Sequence, residues 1–134
     1  MNILFFLLPK DKTQYVLDTN TLRQVIEKMD NCGYTSIPIL NTSGNYVATI
    51  TEGDILRYVK SKHNLSLKSA EKVNIMKLSI KREVKAINIY ANIEDLIELA
   101  LEQNFVPIVD DANIFIGIVT RKSIISYFKE RKFK

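Results

Sequence analysis

Apolar residues along this chain switch between two periods, and the switch happens twice. Leu22, Val25, Ile26 and Met29 recur at the spacing that lines one side of a helix, with Asp18, Thr19 or Thr21 available as its cap. Gly33 stops that helix, and residues 35–40 are a β-branched run that predicts a strand. Asn41-Thr42-Ser43-Gly44-Asn45 reads as a hairpin turn and Tyr46–Thr51 as the returning strand. Thr51 or the residues after it then cap a helix carrying Ile55, Leu56, Tyr58 and Val59. With the extended Tyr15-Val16-Leu17 in front, the unit is β-α-β-β-α.

The same plan returns after residue 83. Residues 86–89 are extended, and Ile93, Leu96, Ile97 and Ala100 form a helical stripe with Asn92 as its cap. Residues 106–109 predict a strand, 110–113 a turn, Phe115–Thr120 a return strand and 123–129 the last helix. Pro38 aligns with Pro107, Tyr46 with Phe115, Ala48 with Gly117, Thr51 with Thr120 and Tyr58 with Tyr127, all at one constant offset. Between helix and strand the second copy is two residues shorter. Such a repeat is a structural unit that needs a partner to cover its apolar face. The division expected is 1–62 for the first motif, 63–83 for an ordered connection anchored by Leu65, Leu67, Val73, Ile75 and Met76, and 84–134 for the second motif. Proline cannot donate to a ladder, so Pro38 and Pro107 are expected at an edge or a strand start.

Composition narrows the class without choosing a function. The chain has 134 residues, 46% hydrophobic and 25% charged, which is ordinary for a soluble α/β (α+β) domain. The net charge of +4 lies partly in Lys129-Glu130-Arg131-Lys132-Phe133-Lys134, which reads as a solvated helix end; no nucleic-acid motif accompanies it. Cys32 is the only cysteine, so an intrachain disulfide is excluded and a cytoplasmic setting fits. The apolar start Met1-Asn2-Ile3-Leu4-Phe5-Phe6-Leu7-Leu8 lacks a basic leader and falls short of the ~20 residues a spanning helix needs. It is expected to pack on the body of the protein or to form a dimer contact, with no membrane role.

Catalytic and metal chemistry find little support. His63 has no cysteine or carboxylate at ligand spacing, so no metal is expected. Cys32 ends an amphipathic helix as a small packed residue, and no third group supports a Cys32–His63 pair. No Walker A loop, G-x-G-x-x-G, H-E-x-x-H or G-x-S-x-G occurs.

The two ordered copies, with the "SIPIL" and "FVPIV" strands and the "YVATITEGDIL" and "IGIVTRKSII" segments, resemble the CBS domain, the cystathionine β-synthase-type module. The likeness covers nearly the whole chain and is narrowest to small stand-alone CBS pairs of Gram-positive bacteria. It implies two β-α-β-β-α motifs packed as a pseudo-two-fold pair, a homodimer, and adenine nucleotides held in the cleft between the motifs. The family motif of a small residue, a strand, Thr or Ser, two residues and Asp stands here as Ala48-Thr49-Ile50-Thr51-Glu52-Gly53-Asp54. The resemblance gives Asp54 the ribose hydroxyls and Thr51 the backbone beside the phosphates, with Tyr34, Thr35, Ser36, Ile37 and Pro38 facing the base. As plain residues, Asp54 also reads as a first-turn carboxylate, though its place in the full motif favours the ligand, and Tyr34 also reads as a packing ring.

The second copy departs from the motif at Ser123, which stands where Asp belongs. In exchange Arg121 and Lys122 follow Thr120 at a helix start, where two cations suit a phosphate. A subgroup binding cyclic di-AMP carries a similar "GI-x-TRR" segment, a "GYT-x-IP" strand and an early lysine; here these are 117–122, 33–38 and Lys12. As plain residues, Arg121 and Lys122 also read as surface charges, Lys12 in its polar run reads as surface, and Tyr58 and Tyr127 read as paired interface positions. The function implied is a non-enzymatic sensor without a cofactor. It takes AMP, ADP, ATP or cyclic di-AMP as regulatory ligand and signals to an effector protein not yet named. The alternative is a ligand-free interaction module working through a dimer surface.

Overall fold

The computed structural model describes residues 2–132, so Met1, Phe133 and Lys134, the ends of the apolar start and of the basic tail, lie outside the described residues. Contacts divide the chain into two units, Gln14–Glu83 on one hand and Met1–Thr13 with Val84–Lys134 on the other. The connection 63–83 therefore groups with the first repeat, and the opening segment groups with the second. A contiguous cut at residues 62 and 84 describes neither unit.

Strand β1 (Leu8–Pro9) belongs to the second unit; in the first, β2 (Val16–Leu17) leads into helix α1 (Leu22–Cys32). Thr21 caps α1 through a reciprocal box with Gln24, and Gly33 closes it in the left-handed region at φ 71°. Strands β3 (Ser36–Leu40) and β4 (Tyr46–Thr51) follow, then helix α2 (Glu52–Lys60) and the single turn α3 (Leu67–Ala70). The sheet order is β2-β3-β4, parallel across the first pair and antiparallel across the second. Val16, Leu22, Val25, Met29, Ile37, Ile39 and Ile50 form its core, which Ala70, Ile75 and Leu78 of the connection complete. The connection is tied down by backbone as well: Leu22 N–H donates to Val73 O at 2.7 Å, and Ile75 N–H to Asn20 O at 2.9 Å.

The second unit repeats the plan with β5 (Ile87–Asn88), α4 (Ile93–Glu102), β6 (Phe105–Val109), β7 (Phe115–Thr120) and α5 (Arg121–Lys132). Its sheet gains a strand, in the order β1-β7-β6-β5, because β1 pairs antiparallel with β7. The 3-10 turn Ile3–Phe6 ahead of β1 buries Ile3 and Phe6 in the core with Leu96, Val106, Ile108 and Val119. The Phe6 ring meets Tyr127 edge-on at 4.8 Å. The apolar start is thus part of the core of this unit.

Both prolines sit inside central strands, which corrects the expectation of an edge or a strand start. Pro38 is the middle residue of β3 and Pro107 of β6. Leu40 O accepts from Asp18 N–H and Val109 O from Ile89 N–H, so Leu40 and Val109 turn their backbone polar groups toward the parallel neighbour. Pro38 and Pro107, two residues earlier, point the same way. There the parallel strands have not begun, since β2 starts opposite Ile39 and β5 opposite Ile108. The missing N–H therefore costs no ladder bond.

Candidate functional site

In the first repeat the hairpin brings the two predicted segments side by side. Ser36 pairs with Thr51 across β3 and β4, and Glu52 N–H donates to Thr35 O at 2.9 Å. The start of β3 thus lies against the N-terminus of α2. Thr35 is exposed and Tyr34 half-buried, so both offer surface there. Ser36, Ile37 and Pro38 do not. Ser36 and Pro38 are buried, and Ile37 is part of the core, so the apolar cover expected of that side chain is spent inside the protein.

Asp54 is 3% exposed, and both its carboxylate oxygens already have partners. Oδ2 accepts Thr51 N–H at 3.0 Å, while Thr51 Oγ1 accepts Asp54 N–H at 3.1 Å, a reciprocal capping box. Oδ1 accepts from the Arg57 guanidinium in an ion pair and from Lys81 N–H at 3.3 Å. To reach ribose hydroxyls the carboxylate would have to give up Arg57 or Lys81. As it stands, it fixes the start of α2.

The second repeat builds the same corner with a neutral residue. Thr120 N–H donates to Ser123 Oγ at 3.2 Å, and Ser123 N–H to Thr120 Oγ1 at 3.1 Å. Serine therefore replaces the capping half of Asp54 but not its charge. Lys122 is exposed on the first turn of α5. Arg121 is committed elsewhere: Nε donates to Ala100 O, and an Nη to Leu101 O at 3.1 Å. The guanidinium caps the carbonyl end of α4, where the helix dipole favours a cation, so part of its donor fork is already engaged within the unit. Lys12 is brought into this unit across most of the sequence. It is exposed and ends the 3-10 turn Lys10–Lys12, which packs against β7.

That approach is close because residue 117 has no side chain. Pro9 pairs with Gly117, and a Cβ at Gly117 would stand 2.2 Å from Leu8 O. Gly117 has φ 153°, a value that L side chains rarely adopt. Of the predicted residues, the structure therefore gathers Tyr34, Thr35, Thr51 and Asp54 in one unit and Lys12, Thr120, Arg121 and Lys122 in the other.

Four residues carry contacts that the sequence reading did not assign. Arg57 could have been found from its i+3 spacing to Asp54, whereas Lys81 carries no local signal. Gln103, 9% exposed, donates to Lys85 O and Phe105 O and accepts Lys85 N–H, pinning the entry to β5. Tyr46 shares a 2.7 Å hydrogen bond with Thr49 Oγ1, and burial pushes its phenol up to about 12. Cys32 directs its thiol at Met29 O at 3.8 Å, a packing contact, and His63 is exposed. No cluster of three metal-ligating side chains occurs among the described residues, and no helix among them is long and apolar enough to cross a membrane.

Two half-sheets built alike, each with a threonine-capped helix after its hairpin, define a tandem repeat module. The CBS domain family model matches residues 8–61 and 75–130, and the chain belongs to that family. An uncharacterized protein of Methanocaldococcus jannaschii is 30% identical over 121 residues, which are 82% of this chain and 43% of that protein. The chain thus spans less than half the length of that relative. Among solved structures, CbpB in complex with c-di-AMP superposes with a TM-score of 0.86 at 26% identity, covering 97% of this chain and 85% of the other. A CBS domain protein from Streptococcus pneumoniae TIGR4 gives 0.84 at 26% identity, over 96% of this chain and 87% of that one.

Proposed function

We propose that this chain is a non-catalytic regulatory sensor that binds an adenine nucleotide, with cyclic di-AMP its preferred ligand. It would act as a homodimer in the cytoplasm and pass the signal to a partner protein. One observation carries the choice of ligand: CbpB with c-di-AMP is 26% identical with a TM-score of 0.86, against 19% and 0.75 for CBSX2 with AMP. The corner geometry supports it. In one unit the exposed Thr35 and the half-buried Tyr34 lie beside the Thr51 cap, suited to a base, and in the other Lys12 and Lys122 are exposed cations suited to phosphate. Asp54, being occupied, contributes by holding Thr51 rather than by clamping a free ribose, which lowers the case for AMP or ATP.

A ligand can shift the equilibrium between two arrangements only by its differential affinity for them. The internal partners of Asp54 also favour a second reading, the ligand-free interaction module.

Calorimetric titration with cyclic di-AMP, AMP and ATP separates the two. Cyclic di-AMP is expected to bind at micromolar concentration or tighter and the mononucleotides more weakly. Lys12→Ala, Lys122→Ala and Tyr34→Ala should each weaken it about tenfold or more, as loss of a charged or stacking contact does. Silence with all three nucleotides would leave the interaction module.

A further inference from the structure

The positive charge of the chain is concentrated between the last residue of α2 and the end of the connection. Residues 60–82 carry seven lysines and arginines against the single carboxylate of Glu71, a net charge of +6 where the whole chain has +4. The other residues are therefore net acidic. Glu71 is itself neutralised by Arg23 of α1, whose guanidinium also holds Glu27. Among the described residues none of the seven cations enters an ion pair, and all seven are exposed.

Packing sorts this stretch into an inner and an outer side. Ala70, Ile75 and Leu78 enter the core of the first unit. Lys68 and Lys72 each stand two residues from Ala70, about 200° around a turn that closes with Lys72 N–H donating to Ser69 O at 3.1 Å. Met76, 43% exposed, and the exposed Lys77 stand between the buried Ile75 and Leu78. The outer side is thus three lysines around a methionine. The backbone beneath it is pinned at Val73 and Ile75, and again at Asn74, whose Nδ2 donates to Asp18 O at 3.1 Å while its Oδ1 accepts Met76 N–H at 2.7 Å. A surface held this way has little freedom left to lose on binding.

We propose that Lys68, Lys72, Met76 and Lys77 form a docking surface for an acidic segment of another protein, with carboxylates on the lysines and an apolar side chain on Met76. This gives a chemistry to the partner proposed above and rests on that reading. Charge complementarity selects the segment, and the unbranched thioether adapts to the apolar group that arrives with it. Nucleic acid fits this surface less well. No Phe or Tyr occurs in residues 59–89 to stack a base, and the helical turns of the connection are too short to fill a groove.

Fluorescence anisotropy with a labelled peptide alternating Glu and Leu tests the surface on the full chain. Binding in the micromolar range at low salt is expected, weakening as salt rises. Lys68→Glu combined with Lys72→Glu should weaken it about tenfold or more, whereas Lys28→Glu combined with Lys85→Glu, an equal charge change elsewhere, should leave it within about threefold. A thymidine oligonucleotide of equal charge should bind more weakly than the peptide. Equal losses in the two double variants, a tighter oligonucleotide, or no peptide binding would overturn the surface. Calorimetry with cyclic di-AMP keeps the two readings apart. The Lys68→Glu, Lys72→Glu chain should retain its nucleotide affinity, and a parallel loss there would overturn the assignment of these lysines to a partner. Peptide binding by a wild-type chain that takes no nucleotide would uphold the surface and overturn the sensor.

Discussion

Replacing Gly117 by alanine adds one methyl where β7 meets the opening segment. That carbon would stand 2.2 Å from Leu8 O and 2.9 Å from a Leu7 methyl, with backbone as the closer obstacle. Neither a rotamer nor a flexible tip can relieve the clash, so β1 must retreat from β7. The retreat breaks the Leu8↔Ile118 and Pro9↔Gly117 pairing, where each hydrogen bond is worth about 0.5–1.5 kcal/mol. If it carries the 3-10 turn with it, Ile3 and Phe6, 0% and 2% exposed, lose burial worth about 1.5–3 kcal/mol each. The expected loss is about 2–6 kcal/mol, a large share of the ~5–15 kcal/mol that holds a domain together. Ala48 provides the control, because it occupies the equivalent position on β4, an edge strand with no neighbour beyond it among the described residues. Ala48→Gly should cost no more than about 1 kcal/mol. Urea unfolding gives the energies, and amide exchange over residues 3–9 locates the damage. A Gly117→Ala chain within about 0.5 kcal/mol of the parent, with unchanged exchange there, would refute the close-approach argument.

Other expectations follow from single contacts. Tyr46 has its folded pKa raised to about 12 against about 10 unfolded, so its neutral form stabilises the fold fully below pH ~10. That contribution, about 2–3 kcal/mol, is lost as the pH climbs toward ~12, and Tyr46→Phe should flatten the alkaline limb of a Tm-against-pH curve. Gln103→Leu leaves Lys85 N–H and the Lys85 and Phe105 carbonyls without that partner, and urea midpoints should show a loss of about 1–3 kcal/mol. Asp54→Ser copies the corner of the second repeat, keeping the cap while losing Arg57; it should destabilise less than Asp54→Ala by about 1 kcal/mol in calorimetry.

Local pattern was readable in this chain, and long-range partnership was not. Spacing placed α1 and α4, Gly33 as a stop and both hairpins, because those depend on neighbours within a few residues. The prolines misled because their cost depends on where a distant parallel strand begins, which β2 and β5 settle only in three dimensions. Arg121 looked like an anion ligand by its place at a helix start. The end of α4, some twenty residues earlier, claims it first. Asp54 was visible as either cap or ligand, and Lys81, which occupies it from far along the chain, tipped the observed geometry to the cap.

The pairing of Leu8 with Ile118 has a further consequence, in time rather than in space. On the ribosome the segment around Leu8 emerges long before its partner strand, since Ile118 lies far along the chain. Gln14–Glu83 holds its own sheet and core and can fold in the interval. Ile3, Phe6 and their neighbours meanwhile stay exposed as an apolar stretch without a home. A contact of such long separation closes only once β7 has been made, and until then the segment has to be kept from other partners.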